Sequence, residues 1–360
     1  MSQTPPQIRF CVSRDGTRIA YAISGSGPPL LWLPHWVHTL KFDVDNPIWS
    51  PWLLTLARRH SVIRYDWRGC GLSDRDGIDL SFERHVEDLE AVVTAVGLTR
   101  FVLFAMAFAT YIGLQYAARH PQQVSRLILY AAASRGRLAR MATPADKAEV
   151  HTRMTAIDLG WPDPNSGYGQ FYTSLQVTAA SAEQKRLFNE QLHAATSREN
   201  AIGLMKAFYV IDLRDVAPQV RCPTLVLHAR HDSNVPFDEG RAVAALVPGA
   251  RFVPLESRNH LVLDTEPAWP HLVAELDAFL PDSREDSPTA SELNLAELTA
   301  RERQILEILA EGVDNKEIGK RLGISEKTVR NQVSIILDKL GLASRLQAVV
   351  RARESLLGRR

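Results

Sequence analysis

Residues 101–121 read FVLFAMAFATYIGLQYAARHP. An apolar run over 100–104 is a buried strand, and the mixed stretch that closes on His120 and Pro121 is a helix. Five further short apolar runs, at 29–33, 61–65, 127–131, 224–228 and 252–255, repeat the pattern, with amphipathic spacers long enough for crossover helices. The sum is an open, mostly parallel sheet with helices on both faces. Residues 135–220 break this rhythm: they hold no strand pattern and several aromatic-rich helical patterns, which predicts an inserted helical cap.

The chain has 360 residues, enough for two domains. Its first ten residues hold no apolar run, and no stretch of about 18 apolar residues occurs, so neither a secretory signal nor a membrane span is expected. Cys11, Cys70 and Cys222 are odd in number and far apart, which fits packed thiols in a cytoplasmic protein better than a disulfide framework or a metal cluster. No cofactor is expected. Residues 298–360 carry 13 Lys/Arg against 8 Asp/Glu, a net of +5, and the other 297 residues carry 29 against 33, a net of −4. A basic tail on an acidic body fits nucleic-acid contact through the tail. The polar segment PDSREDSPTASELNLAE at 281–297 reads as a linker. The expected organisation is therefore residues 1–280, a linker at 281–297, and a tail domain at 298–360.

The tail opens on a capping box, Thr299 with Glu302, ahead of an apolar face made by Ile305, Leu306, Ile308 and Leu309 and a stop at Gly312. Asn315 is the expected cap of a short second helix that Gly323 ends. Ser325 is the expected cap of a third, with Val329, Val333, Ile336, Leu337 and Leu340 inward. Gly341 ends it, and a fourth helix with Leu346, Val349 and Val350 apolar follows. Helix, short helix, tight turn, helix is the arrangement that lays one helix in the major groove. The stretch LTARERQILEILAEGVDNKEIGKRLGISEKTVRNQVSIILDKLGLASRLQAVV resembles the LuxR/FixJ-type helix-turn-helix family along its length, through Leu-Thr-x-Arg-Glu, Asn-Lys-Glu-Ile, Ile-Ser-x-Lys-Thr-Val and Lys-Leu. Asn331 stands where that family commonly has His. The resemblance implies an all-α four-helix domain, a double-stranded DNA operator and a homodimer. The DNA contacts expected are Lys316, Lys327, Thr328, Arg330, Asn331, Ser334 and Lys339.

In the larger part, LLWLPHWVH, VIRYDWRGCGLSDR, FVLFAMAFATYIGLQYAARHP, PTLVLHARHDSNVP and RFVPLESRNH follow one another in an order that resembles the α/β-hydrolase fold family over residues 8–280. In such enzymes a Ser sits on a strained turn, within Gly-x-Ser-x-Gly, and an acid and a His follow in the chain. Asp232 and His260 stand at the expected strand ends, so Asp232 would orient His260. The nucleophile is missing, because the elbow reads Ala105-Met106-Ala107-Phe108-Ala109 and both glycines and the serine have become alanine. With no hydroxyl to activate, the strain has no evident use, which predicts that the turn relaxes. His35 replaces a Gly of the oxyanion loop and fills the space a reacting carbonyl needs. Thr110 belongs inside the following helix and should point elsewhere, and Cys70 reads as a packed thiol.

A pocket can outlive its chemistry. The expected lining is His35, Trp36, Met106, Ala107, Phe108 and His260, with Trp161, Phe171, Tyr172, Phe208 and Tyr209 from the cap. This set suits a small apolar or aromatic ligand anchored by His35 and His260. Three readings follow. In the first, a catalytically silent hydrolase-like domain senses a ligand for a DNA-binding tail. In the second, a regulator retains base chemistry through Asp232 and His260. In the third, the large domain is a dimerisation scaffold.

Overall fold

The computed structural model describes residues 7–33, 38–42, 44–141, 143–280, 298–311, 313–340 and 348. His35, Trp36, Gly312, Gly341, Leu346, Val349, Val350 and the 281–297 segment lie outside them. Two compact units divide the chain, Met1–Arg284 and Glu285–Arg360.

The first unit is built on eight strands: β1 (Arg9–Val12), β2 (Arg18–Ser24), β3 (Pro29–Leu33), β4 (Ser61–Tyr65), β5 (Phe101–Met106), β6 (Val124–Tyr130), β7 (Thr224–Ala229) and β8 (Arg251–Leu255). They form one sheet in the order β1-β2-β4-β3-β5-β6-β7-β8. β1 and β2 pair antiparallel, as do β2 and β4, and the pairs from β4 through β3 to β8 are parallel. The parallel strands are those the apolar runs predict, because a strand covered on both faces has no polar side to interrupt its run. β1 and β2 do not announce themselves this way. β1 is an edge strand with an exposed Phe10 and Val12, and β2 mixes Arg and Ser into its apolar residues. β5 extends to Met106, and β6 begins at Val124 after a register shift beside Phe101.

Alternate residues of the strands face two cores. Leu31, Leu33, Leu103, Ala105, Leu127, Leu129 and Val226 pack towards α2 (Phe82–Val96), α3 (Ala109–Arg119) and α8 (Phe237–Leu246). Leu30, Trp32, Phe104, Met106, Ile128 and Tyr130 pack towards α1 (Trp49–Ala57) and α9 (Ala268–Phe279). Between β6 and β7 the chain forms α4 (Pro144–Gly160), α5 (Gly167–Gln176), α6 (Ala182–Ala195) and α7 (Arg198–Tyr209), then a 3-10 turn at Ala217–Gln219. No named strand falls among the described residues of that interval, as the cap reading expects.

His85 of α2 is fully buried, with its ring centroid 5.1 Å from those of Trp67 and Phe208. Burial, helped by the Arg68 charge, lowers its pKa to about 3. The unfolded imidazole titrates near ~6.5. Neutral His85 therefore favours the fold fully above that value, and the contribution is lost as pH falls towards about 3. The melting temperature of the first unit is expected to decline as pH drops below about 6.5. Calorimetry in buffers of different ionisation heat should find up to one proton fewer taken up on unfolding in His85→Gln. Equal uptake in both proteins would refute this assignment.

The second unit contains α10 (Ala300–Ala310), α11 (Asn315–Leu322) and α12 (Glu326–Lys339) around Leu298, Ile305, Leu306, Leu309, Ile318, Val329, Val333 and Ile336. The Thr299–Glu302 capping box forms in both directions. Asn315 is the first residue of α11, not its cap. Asp314 takes that role by accepting from the Glu317 amide at 2.8 Å, since its carboxylate stands one residue earlier and adds charge at the positive helix end. Gly323 ends α11 in the left-handed conformation, and Ser325 accepts from the Thr328 amide at 3.1 Å. Gly319 lets α11 meet the turn, because a Cβ there would lie 2.7 Å from the Ile324 carbonyl oxygen.

Candidate functional site

At the carboxyl end of β5 the chain passes through Ala107 with φ +51° before α3 begins at Ala109. The expected relaxation of this turn does not occur. Its left-handed residue is held from both sides: the Ala107 amide donates to the Tyr130 carbonyl at 2.9 Å, and its own carbonyl accepts from the Thr110 amide at 3.0 Å and from Thr110 Oγ1 at 2.6 Å. Sheet register and the α3 N-terminus fix the turn whatever the side chain is. A non-glycine residue there costs of order 1–3 kcal/mol. The extra methyl of Ala105 is accommodated by Gly113 of α3, whose missing Cβ would lie 2.9 Å from Ala105 Cβ. Thr110 spends its hydroxyl on the Ala107 carbonyl.

Two strands along, the loop after β7 carries Asp232, and the loop after β8 carries His260. Both side chains are fully buried, with His260 Nδ1 2.7 Å from Asp232 Oδ2. Asp232 Oδ1 accepts from the amides of Asn234 at 2.7 Å and Val235 at 2.9 Å, and His228 Nε2 lies 3.6 Å from Oδ2. Burial alone would raise the Asp232 pKa. The charge and hydrogen bond of His260, with His228 and the Val235 amide, outweigh it and hold the carboxyl below its ordinary range. The sequence pair is thus assembled as an oriented imidazole and its carboxylate. Cys70 is wholly enclosed, and burial pushes its thiol up to about 12, as a packed thiol should be. Among the described residues no group of His, Cys, Asp and Glu is arranged to hold a metal ion.

Beside Ala107 lies a cavity of about 20 Å³, bordered by Ala107, Phe108, Tyr111, Ala131, Ala133, Arg137, Arg140, Tyr172, Met205, Tyr209, Asn234 and Val235. Ala107, Phe108, Tyr172 and Tyr209 of the sequence-predicted lining are there. Met106 faces the other core, its Sδ 3.1 Å from Trp32 Nε1, because successive strand residues alternate faces. Trp161 packs on His193 and donates to the Thr196 carbonyl at 3.3 Å. Phe208 lies in an aromatic cluster with Trp67, His85 and Phe108. Phe171 lies on α5, half-buried. None of these four borders this cavity, and neither does His260, the expected anchor, whose ring is turned to Asp232 on the loop after β7. The arginines escaped the sequence reading, which looked for aromatics. Their signal was the run Arg135-Gly-Arg-Leu-Ala-Arg140 directly after β6.

In the second unit Lys316, Lys327, Thr328, Arg330, Asn331 and Ser334 are all exposed. Arg330 pairs with Glu326 one turn back at 3.2 Å, an exposed contact that phosphate or a base edge can replace. Lys339 differs from the rest. Its Nζ sits 2.9 Å from both carboxylate oxygens of Glu302, so it ties α12 to α10 with its charge already matched.

Comparison with known proteins follows the same division. The family model described as alpha/beta hydrolase fold matches residues 43–267, and that of bacterial regulatory proteins of the luxR family matches residues 296–352. The chain is 25% identical over 241 residues to an AB hydrolase superfamily protein, YisY of Bacillus subtilis, covering 66% of this chain and 86% of that one. Its tail is 46% identical over 57 residues to the transcriptional regulatory protein DesR of the same organism, covering 16% of this chain and 29% of DesR. Among solved structures, an esterase from Exiguobacterium antarcticum matches with a TM-score of 0.65 at 22% identity, over 76% of this chain and 99% of the esterase.

Proposed function

Because this chain belongs to the α/β hydrolase fold family and ends in a LuxR-type DNA-binding domain, we propose that it is a regulator whose hydrolase-fold domain binds a small molecule without hydrolysing it. The chain divides, in this reading, into a sensor at 1–280, a linker at 281–297 and a DNA-binding domain at 298–360, and it acts as a homodimer. One observation carries the proposal: the strained elbow keeps its left-handed geometry at Ala107, beside a cavity, with a methyl group where the family's chemistry needs a hydroxyl. The fold itself holds the elbow, so what supports binding without hydrolysis is the cavity beside a residue that has no hydroxyl. The assembled Asp232–His260 pair favours a second reading, in which the imidazole acts as a base on a substrate bearing an acidic proton.

A ligand changes regulation only by binding two states differently. A coupling of about tenfold in operator affinity corresponds to ~1.4 kcal/mol. The molecule that co-purifies with the full-length protein, identified by mass spectrometry, is expected to shift operator affinity by about that factor. Ala107→Trp, which fills the cavity beside the elbow, is expected to block or mimic the shift. Unchanged affinity with and without the molecule, and in Ala107→Trp, would leave the scaffold reading. Turnover of the molecule, lost in His260→Ala, would establish the base-chemistry reading.

A further inference from the structure

We propose that the hydrolase-fold domain recognises a small organic carboxylate, with Arg140 as its anchor, in the hollow that shares Arg137 and Arg140 with the cavity beside Ala107. The inference rests on the sensor reading and names the ligand class it would take. Arg140 borders both the 20 Å³ cavity and a neighbouring hollow of about 160 Å³, which Arg137, Asp146, Glu149 and Glu239 also border. Its neighbours are matched. Arg137 lies 3.2 Å from Glu149 and donates to the Asn234 carbonyl, Arg153 lies 2.7 Å from Glu149, and Arg135 lies 3.3 Å from Glu239. Arg140 is not matched. Its Nη1 is buried with no hydrogen-bond partner, and no ion pair to it is found among the described residues. Burial pulls its pKa below the ordinary range; Tyr111 and Glu239 oppose the shift, and the charges of Arg137 and Arg135 reinforce it. A half-buried guanidinium with one enclosed, unpartnered nitrogen is a costly arrangement unless an anion visits it.

The surroundings select the kind of anion. Guanidinium presents a planar fork that carboxylate matches with two parallel hydrogen bonds. Met141, Val150 and Pro236 border the hollow, and the rings of Phe108, Tyr111, Tyr172 and Tyr209 border the cavity beyond Arg140, so the apolar surface suits an organic body better than a tetrahedral, heavily hydrated phosphate. The cavity alone has room for about one water, and the hollow of about 160 Å³ is close to the roughly 150 Å³ known to admit benzene. Both described non-glycine residues with positive φ, Ala107 and Ala131, border the cavity, and such strain gathers where a site must keep its shape. Glu239 Oε2 is also buried without a partner across the hollow, so it competes with the ligand for Arg140.

The test titrates benzoate, benzamide and inorganic phosphate into the full-length protein by calorimetry, in wild type, Arg140→Gln and Glu239→Gln. Benzoate is expected to bind wild type at least about tenfold more tightly than benzamide or phosphate. Arg140→Gln should weaken benzoate by about tenfold or more while melting no lower than wild type in the absence of ligand, because an unmatched buried charge has gone. Glu239→Gln should tighten it. The proposal is overturned if benzoate fails to bind wild type at millimolar concentrations, if benzamide or phosphate equals it, or if Arg140→Gln binds benzoate unchanged. The sensor reading fails separately. Benzoate bound through Arg140 with no effect on operator affinity would sink the sensor and keep the carboxylate site. A neutral co-purifying molecule that shifts operator affinity, with no benzoate binding, would do the reverse.

Discussion

Short acyl esters are expected to be hydrolysed by the wild-type protein no faster than background. Loss of a triad serine costs about 10⁶ in kcat in a comparable hydrolase, which leaves little above the uncatalysed rate. Ala107→Ser is the informative variant, since the new hydroxyl would enter a turn that already holds the left-handed geometry. The Ala105 methyl does not obstruct it, because Gly113 leaves room for it, and Ala109 packs into the core. Asp232 and His260 are already joined at 2.7 Å. What stays altered is the oxyanion loop, where the sequence places His35. Loss of one oxyanion donor costs roughly 10²–10³ in kcat. Ala107→Ser is therefore expected to rise above background and to stay about that factor below a competent esterase. Stopped-time assays with p-nitrophenyl acetate on wild type, Ala107→Ser and Ala107→Ser/His260→Ala would read this. Robust activity in the wild type, abolished by His260→Ala, would show that another group attacks and that the pocket is still an enzyme's.

The elbow also shows where sequence alone misleads. From local composition the strain at Ala107 had no purpose, so relaxation was the natural expectation. The turn is in fact held on one side by Thr110 of α3 and on the other by the Tyr130 carbonyl on β6, and no local pattern carries the second of these. The parallel strands were legible because burial on both faces erases polar residues from their sequence. The edge strand β1 was not, because exposure restores them, and neither was β2, whose buried run at 19–22 holds two alanines and lies between Arg18 and Ser24. Asp232 and His260 were legible from their positions at strand ends, and Ala107 from the distance to His120-Pro121. The arginines were missed for a different reason: a charge run usually reads as solvated surface, and only the fold reveals that Arg140 is folded inward beside three tyrosines. Lys339 is the converse case: its place on the third helix makes it an expected DNA contact, and only the fold shows its ammonium paired with Glu302 on another helix.

That pairing sharpens what substitutions on α12 should do. Lys327 and Arg330 project from the helix that the LuxR-type arrangement lays in the major groove, and both are exposed. Arg330 is held only by an exposed i,i+4 contact to Glu326, worth about 0.3–0.5 kcal/mol at most, which DNA can displace. Lys327→Ala and Arg330→Ala are each expected to weaken operator binding. A lost base contact costs about 1–3 kcal/mol and relaxes preference at one position. A lost phosphate contact flattens the slope of log K against log salt by about 0.9 without changing preference. The double variant should lose tenfold or more, by roughly additive contributions of that size. Lys339→Ala is the control. Removing it frees the Glu302 carboxylate, so the helical unit should melt earlier while the salt slope of its DNA binding stays that of wild type. Filter binding to a selected operator and to a random-sequence duplex, over a salt series, separates the three effects. If Lys327→Ala and Arg330→Ala leave both affinity and slope untouched while Lys339→Ala flattens the slope, the reading surface lies nearer the α12 C-terminus than this arrangement of helices requires.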